Sequence, residues 1–234
     1  NPEAQWHFER IEATTRGYSV AIRGIGGILI EGEVNLIGEH NLDNLLMAVA
    51  IASQFEIDPI VIGNSFQNLK GAAGRLESVD IGQKFLALVD YAHTPDALDN
   101  VLKTINAFRT GNEQLITVVG CGGNRDKTKR PTMAKIAVSE STKAIFTSDN
   151  PRFEEPAEIL KDMQAGVGPT DFRKTLTIED RREAIKTALL LCQKGDIVLI
   201  AGKGHEDYQE IKGVKHHFDD AEVVTELLTQ LNGN

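Results

Sequence analysis

The chain of 234 residues has only two cysteines, Cys121 and Cys192. Two thiols so far apart build no disulfide framework and match no metal-ligand spacing; both lie beside apolar stretches, as small core residues do. No run approaches the roughly 18 apolar residues that cross a bilayer, and residues 1–30 show no signal-peptide pattern. The cytoplasm is therefore the expected location, with no membrane partner. Nor is there a dense lysine and arginine stripe. Formal net charge is -9, which argues against nucleic acid as a partner. The chain shows no internal repeat and no low-complexity segment. A composition of 41% hydrophobic and 25% charged residues fits a globular protein of one large or two modest domains. Against an acidic background the local basic clusters are informative, because an anionic ligand needs one.

The opening, Trp6 to Ile30, alternates short β-prone runs with glycine turns at Gly24, Gly26 and Gly27, a pattern of antiparallel hairpins. Beginning at Asn1-Pro2 without an initiator methionine, it is expected to be a piece of a longer chain. A polar turn, Gly38 to Asn44, then runs into an apolar helix that Asn41 or Asp43 is placed to cap. A second helix is expected over about Asp58 to Leu69. Gly71-Ala-Ala-Gly74 breaks the pattern and marks the expected domain boundary.

Beyond that break, strands and helices alternate. Strands are predicted at Phe85–Val89, Leu115–Val119, Ala144–Thr147, Leu176–Ile178 and Ile197–Ala201. Helices are predicted at Pro95–Phe108, Pro131–Glu140, Pro156–Ala165, Asp180–Cys192 and Ala221–Leu231, three of them opened by proline, whose missing N–H is harmless there. Alternating β and α with apolar, β-branched strands implies an α/β fold, a mostly parallel sheet covered on both faces. In such folds the ligand crevice lies beyond the carboxyl ends of the strands. The loops there hold the four most unusual stretches of the sequence: Asp90-Tyr-Ala-His-Thr-Pro95, Gly120-Cys-Gly-Gly-Asn-Arg-Asp-Lys127, Ser148-Asp-Asn-Pro-Arg152 and Gly202-Lys-Gly-His-Glu-Asp207.

Each stretch has a functional and a plain reading. Gly120 to Lys127 offers backbone amides for an anion nest, with Arg125, Lys127, Lys129 and Arg130 adding cations. A solvated basic loop has the same composition, and Asp126 before Lys127 excludes a Walker A loop. Asp149, Asn150, Pro151 and Arg152 combine a carboxylate, an amide and a guanidinium on a stiffened turn. That set matches a zwitterionic amino acid whose carboxylate Arg152 grips through two parallel hydrogen bonds, or else is a surface salt bridge. Glu206, after Gly202, offers a counter-charge for an ammonium, or sits in a tight exposed turn. A metal site from His205, Glu206, Asp207, His216 and His217 lacks helical i,i+4 spacing. Asp90 and His93 precede a helix that Thr94 would cap, and Arg75 follows the glycine break. Cations and carboxylates on one rim point to a substrate carrying several charges of both signs.

Taken together these stretches resemble the Mur ligases of peptidoglycan synthesis, in the branch of UDP-MurNAc-tripeptide synthetases that add the third residue. The matching segments are Gly38–Asn44, Gly74-Arg-Leu-Glu77, Val89–Asp96, Cys121–Pro131, Asp149–Arg152 and Ala201–Gln209, six in family order over nearly the whole chain. The resemblance implies that residues 1–74 are the C-terminal part of a central ATP-binding domain and 75–234 a Rossmann-like amino-acid-binding domain. It implies that Arg125, Asp149, Asn150, Pro151, Arg152, Gly202 and Glu206 hold the incoming diamino acid. Asn41, Arg75, Asp90 and His93 match positions on the ATP side, and Lys127 is placed to approach the transferred phosphate. The Asp-Asn-Pro-Arg form implies meso-diaminopimelate rather than lysine. The implied partners are meso-diaminopimelate, UDP-MurNAc-L-Ala-D-Glu and ATP, with Mg2+ as cofactor, and the chain is expected to be monomeric. The family's phosphate loop, magnesium ligands and carbamylated lysine are expected upstream of Asn1, so this chain alone is expected to be inactive. Other amide ligases, of the folylpolyglutamate or cyanophycin synthetase type, and a stand-alone amino-acid-binding module are the rival readings.

Overall fold

The computed structural model of the chain describes residues 4–14, 16–55, 57–109 and 111–232, with the side chains of Glu39, His40 and Asn232 left aside. The Asn1-Pro2 start lies outside the described residues. Two compact units divide the chain, Asn1–Gly71 and Ala72–Asn234; the division falls within the Gly71–Gly74 break.

The first unit carries the expected hairpins. Strands β1 (His7–Ala13), β2 (Tyr18–Arg23) and β3 (Leu29–Val34) form an antiparallel sheet in the order β1-β2-β3. Helix α1 (Glu39–Ala52) lays Leu42, Leu45 and Val49 against it, the i, i+3, i+7 spacing of one helical face. Its start corrects the expected cap. The helix begins ahead of both Asn41 and Asp43, after Gly38 at φ 97 with no side-chain cap. Asn41 Nδ2 instead donates to the Ile37 carbonyl at 2.8 Å. Helix α2 (Pro59–Ser65) is capped by Asp58, which accepts from Ile60 N at 2.8 Å, and a 3-10 turn over Phe66–Asn68 completes the predicted segment.

The second unit is built on a six-stranded sheet of order β4-β5-β9-β6-β7-β8. Its elements are β4 (Glu77–Val79), β5 (Leu86–Asp90), α3 (Pro95–Phe108), β6 (Leu115–Cys121), α4 (Lys129–Glu140), β7 (Lys143–Ser148), α5 (Pro156–Gln164), β8 (Thr175–Thr177), α6 (Arg181–Leu191) and β9 (Ile197–Ala201), then the hairpin β10 (Tyr208–Ile211) and β11 (Val214–His217), and α7 (Asp220–Asn232). Strand β4 runs antiparallel to β5, and every other pairing in this sheet is parallel. Every residue of β6 and β9 is buried, as a sheet covered on both faces requires. On one face Val89, Ile116, Val118, Ile145 and Ile200 meet Ile185 of α6 and Val224 and Leu228 of α7. The alternate residues Leu88, Val119 and Phe146, also fully buried, point the other way, toward the layer of α3, α4 and α5.

The expected helix opening at Pro131 is corrected: α4 starts at Lys129, so Pro131 is its third residue, where an N–H still has no intrahelical acceptor. Pro95 and Pro156 do open their helices. The register levels the strand ends, pairing Asp90 with Ala201, Val119 with Ala201 and Cys121 with Ser148. The four unusual loops therefore leave the sheet side by side on its carboxyl edge.

Candidate amino-acid site

A cavity of about 610 Å³ opens on that edge. Its lining brings Arg125, Lys129 and Arg152 together with Asp126, Asp149 and Glu206, alongside Gly122, Tyr91 and His93. Three cations and three carboxylates facing one space is the charge pattern a zwitterion with more than one acid end requires.

Asn150, at 2% exposure, is the hub of the turn after β7. Its Nδ2 donates to Glu206 at 2.9 Å and its Oδ1 accepts from Glu210 N at 2.8 Å and Lys203 Nζ at 3.3 Å. Two residues on, Arg152 adopts φ 53, in the left-handed region. Its NH1 donates to the Gly123 carbonyl at 2.9 Å and its Nε faces Glu210 Oε2 at 3.3 Å. The free two-pronged grip expected of Arg152 is thus partly committed to the protein, at NH1 by the Gly123 carbonyl and at Nε by Glu210. Gly122 separates the two arginines: a Cβ there would stand 2.8 Å from Arg152 NH1 and 3.9 Å from Arg125 Cγ.

Gly202 is required twice over. Its φ is +121, and a Cβ would lie 2.9 Å from Asp149 Oδ2. Behind it, Lys203 is fully buried, donating to Asn150 and to the Tyr208 carbonyl. Burial pushes the Lys203 ammonium below the usual lysine range against the opposing pull of Asp149. Deeper still, fully buried Arg181 pairs with Asp220 at 2.8 and 2.6 Å and donates to the carbonyls of Ala201 and Ser148. It ties together the ends of β9 and β7 from which Gly202 and Asp149 emerge.

The basic loop after β6 divides by role. Arg130 is fully buried, donating to Glu154 at 3.0 Å and Asp162 at 2.8 Å, so it braces the loop rather than joining an anion nest. Lys127 pairs with Glu154 at 2.9 Å, and the cavity lining does not include it. Hydrogen bonds from Arg130 and Lys127 hold the Glu154 carboxyl at about 2. Lys129, whose Nζ donates to the His93 carbonyl at 2.7 Å, is the lysine that reaches the cavity. Both cysteine thiols are pushed up to about 12 by burial, which fits inert core residues.

On the opposite rim, Thr94 caps α3, accepting from Ala97 N at 3.3 Å, and His93 lines the cavity with its Nδ1 2.8 Å from the Tyr91 carbonyl. Asp90 accepts from Leu76 N and Ala92 N, each at 2.8 Å, so its carboxylate organises backbone on both sides. Arg75 is exposed. Asn41 belongs to the first unit. Tyr91, not singled out from the sequence, sits between His93 and His205 with ring centroids 4.5 and 5.1 Å away. Burial and then Glu206 raise its hydroxyl above the usual range. Gly74 at φ +67 passes so close to the Gly202–Glu206 loop that a Cβ would lie 2.2 Å from His205 N, and its carbonyl accepts from Tyr91 N at 2.8 Å. Among the described residues no group of three or more His, Cys, Asp or Glu side chains is arranged to hold a metal ion.

The family profile described as Mur ligase, glutamate ligase domain, matches residues 74–204. The chain belongs to the Mur ligase family. Within it, a UDP-N-acetylmuramoyl-L-alanyl-D-glutamate--2,6-diaminopimelate ligase of Bacteroides fragilis is 53% identical over 199 residues, 84% of this chain and 40% of that protein. A solved structure of a ligase of the same name superposes with a TM-score of 0.81 at 40% identity, over 99% of this chain and 47% of the other. A Mycobacterium tuberculosis folylpolyglutamate synthase reaches a TM-score of 0.60 at 18% identity, over 99% of this chain and 49% of the other, a likeness of fold alone. The chain spans less than half the length of these Mur ligase relatives. No helix among the described residues is long and apolar enough to cross a membrane.

Proposed function

We propose that this chain supplies the amino-acid-receiving half of a cytoplasmic, monomeric ligase that uses ATP to add meso-diaminopimelate to UDP-MurNAc-L-Ala-D-Glu in peptidoglycan synthesis. One observation carries the reading: Arg125 and Arg152 flank Gly122 on the same cavity that Asp149 and Glu206 line. In this reading the two guanidiniums take the acid ends of the ligand, and Asp149 and Glu206 take its ammonium charge. ATP supplies the phosphoryl group that activates the D-Glu carboxyl as an acyl phosphate. The site's task is then positional: it holds the diaminopimelate amine where it attacks that carbonyl, giving the amide and releasing phosphate. Asn41, Arg75, Asp90 and His93 belong to the ATP side, and Mg2+ ligands to the upstream half. Exposed Met47, Ile51, Phe55 and Ile60 on the first unit support its being one part of a larger domain.

Selectivity follows from the unmade contacts. Lysine has hydrogen where diaminopimelate has its distal carboxylate, so binding it would desolvate a guanidinium without a partner. Calorimetry on the chain is expected to show meso-diaminopimelate binding and L-lysine binding at least about tenfold more weakly, the equivalent of one lost charged hydrogen bond. Arg152→Ala is expected to erase that preference. Equal affinity for lysine in the unaltered chain would overturn the assignment.

A further inference from the structure

The hairpin of β10 and β11 has no part in the core. All four residues of β11 are exposed, and β10 is at most half-buried. Its bonds go instead to the turn that carries Asp149, Asn150 and Arg152. Gln209 Nε2 donates to the Asp149 carbonyl at 2.7 Å, and Glu210 N to Asn150 Oδ1 at 2.8 Å. Arg152 N donates to the Glu210 carbonyl at 2.9 Å, and Lys212 N to the Arg152 carbonyl at 2.6 Å. Both backbone groups of Arg152 are therefore held by the hairpin, at a residue whose left-handed φ persists only where its surroundings impose it. The side chain is held by the same strand, through Nε and Glu210 Oε2 at 3.3 Å, with Arg152 17% and Glu210 23% exposed.

We infer that Glu210 is a positioning residue that aims the Arg152 guanidinium into the cavity and so sets the preference for an amino acid with a distal carboxylate. The inference rests on the proposed role of Arg152. Two effects of Glu210 oppose one another. As a negative charge beside a carboxylate-binding group it repels the ligand, so electrostatics alone makes its removal strengthen binding. As the ion-pair partner of Nε, acting together with the Gly123 carbonyl on NH1, it helps hold the guanidinium beside Gly122 and Arg125, so orientation makes its removal weaken binding. Three neighbouring contacts already hold the backbone of this turn, so Glu210's carboxylate acts on the side chain, a task it shares with the Gly123 carbonyl that accepts from NH1 at 2.9 Å. Orientation dominates.

The test uses the whole chain with Glu210→Ala, Glu210→Gln and, as a control, Arg152→Ala, titrated calorimetrically with meso-diaminopimelate and with L-lysine. Glu210→Ala is expected to weaken meso-diaminopimelate about tenfold, through the lost ion pair that orients Arg152, and to change L-lysine by no more than about twofold. Glu210→Gln, which keeps a side-chain oxygen facing Nε, is expected to recover affinity to within about threefold of the unaltered chain. Nitrogen-15 NMR of the Arg152 Nε–H, assigned by its disappearance in Arg152→Ala, reads the positioning without ligand: a slowly exchanging signal is expected in the unaltered chain and in Glu210→Gln, and a broadened one in Glu210→Ala. Undiminished meso-diaminopimelate affinity in Glu210→Ala, with Arg152→Ala weakened, overturns the role of Glu210 and leaves the site assignment standing. Undiminished affinity in Arg152→Ala overturns the site assignment itself. An unchanged Nε–H signal in Glu210→Ala rejects the positioning role whatever the calorimetry shows.

Discussion

Replacing Glu154 by alanine removes a charged tie between the loop after β6 and the turn after β7. Glu154 accepts from Arg130 at 3.0 and 3.1 Å, from Lys127 at 2.9 Å and from Asn124 N at 2.6 Å. These bonds hold the carboxyl at about 2, well below its ordinary range, so its charged form is stabilised in the folded chain. Removing one partner of a buried ion pair costs about 3–5 kcal/mol, and Glu154, at 15% side-chain exposure beside fully buried Arg130, belongs at the low end. Because the folded pKa is depressed, this stabilisation is complete above pH about 4.5 and is lost as pH falls toward about 2. Urea unfolding at pH 7 is therefore expected to show Glu154→Ala less stable by about 3 kcal/mol, with the gap to the unaltered chain closing as pH falls from 4.5 toward 2. Adding Arg130→Met, which removes the buried charge left with Asp162 alone, is expected to restore part of the loss. A deficit below about 1 kcal/mol at pH 7, or one that does not shrink in acid, would refute the reasoning.

Two further substitutions probe the floor of the cavity. Gly202→Ala places a methyl 2.9 Å from Asp149 Oδ2 at φ +121; a destabilisation of about 1–3 kcal/mol is expected, with a loss of amino-acid affinity in calorimetry because Asp149 must move. Asp220→Ala strands Arg181, which has no exposure at all, and is expected to cost about 3–5 kcal/mol in urea unfolding, while the double change Arg181→Met, Asp220→Leu is expected to regain most of it.

The alternating strands and helices of the second unit were legible because their signals are local. Apolar strands and proline- or Asp-opened helices declare themselves over a few residues; β9 has the expected bounds, while β6 runs two residues past Val119 to Cys121, into what reads as the glycine-rich loop. The carboxyl-edge loops followed from that alternation alone. What escaped depends on distant partners. Strand β4 has three residues and pairs antiparallel only because β5 is there to receive it. The β10–β11 hairpin has no alternating apolar face; its readable sign was Lys212-Gly213, a two-residue turn with φ of 50 and 79 at its two positions. The basic loop reads as four equivalent cations, yet burial separates Arg130 from Arg125, and burial is not written in a run of charges. The expected cap of α1 failed for a related reason, since Gly38 leaves the helix free to begin before Asn41.

The closeness of Gly74 to His205 bears on where a shortened version of this protein is to be cut. The Gly74 amide donates to Glu77 Oε2 at 2.7 Å while its carbonyl receives Tyr91 N, so this residue is a keystone of the ligand-facing rim although it reads as the last of a linker. An expression fragment that starts at Arg75 would discard it and put a charged amino terminus in its place. One that starts at Ala72 keeps the rim whole.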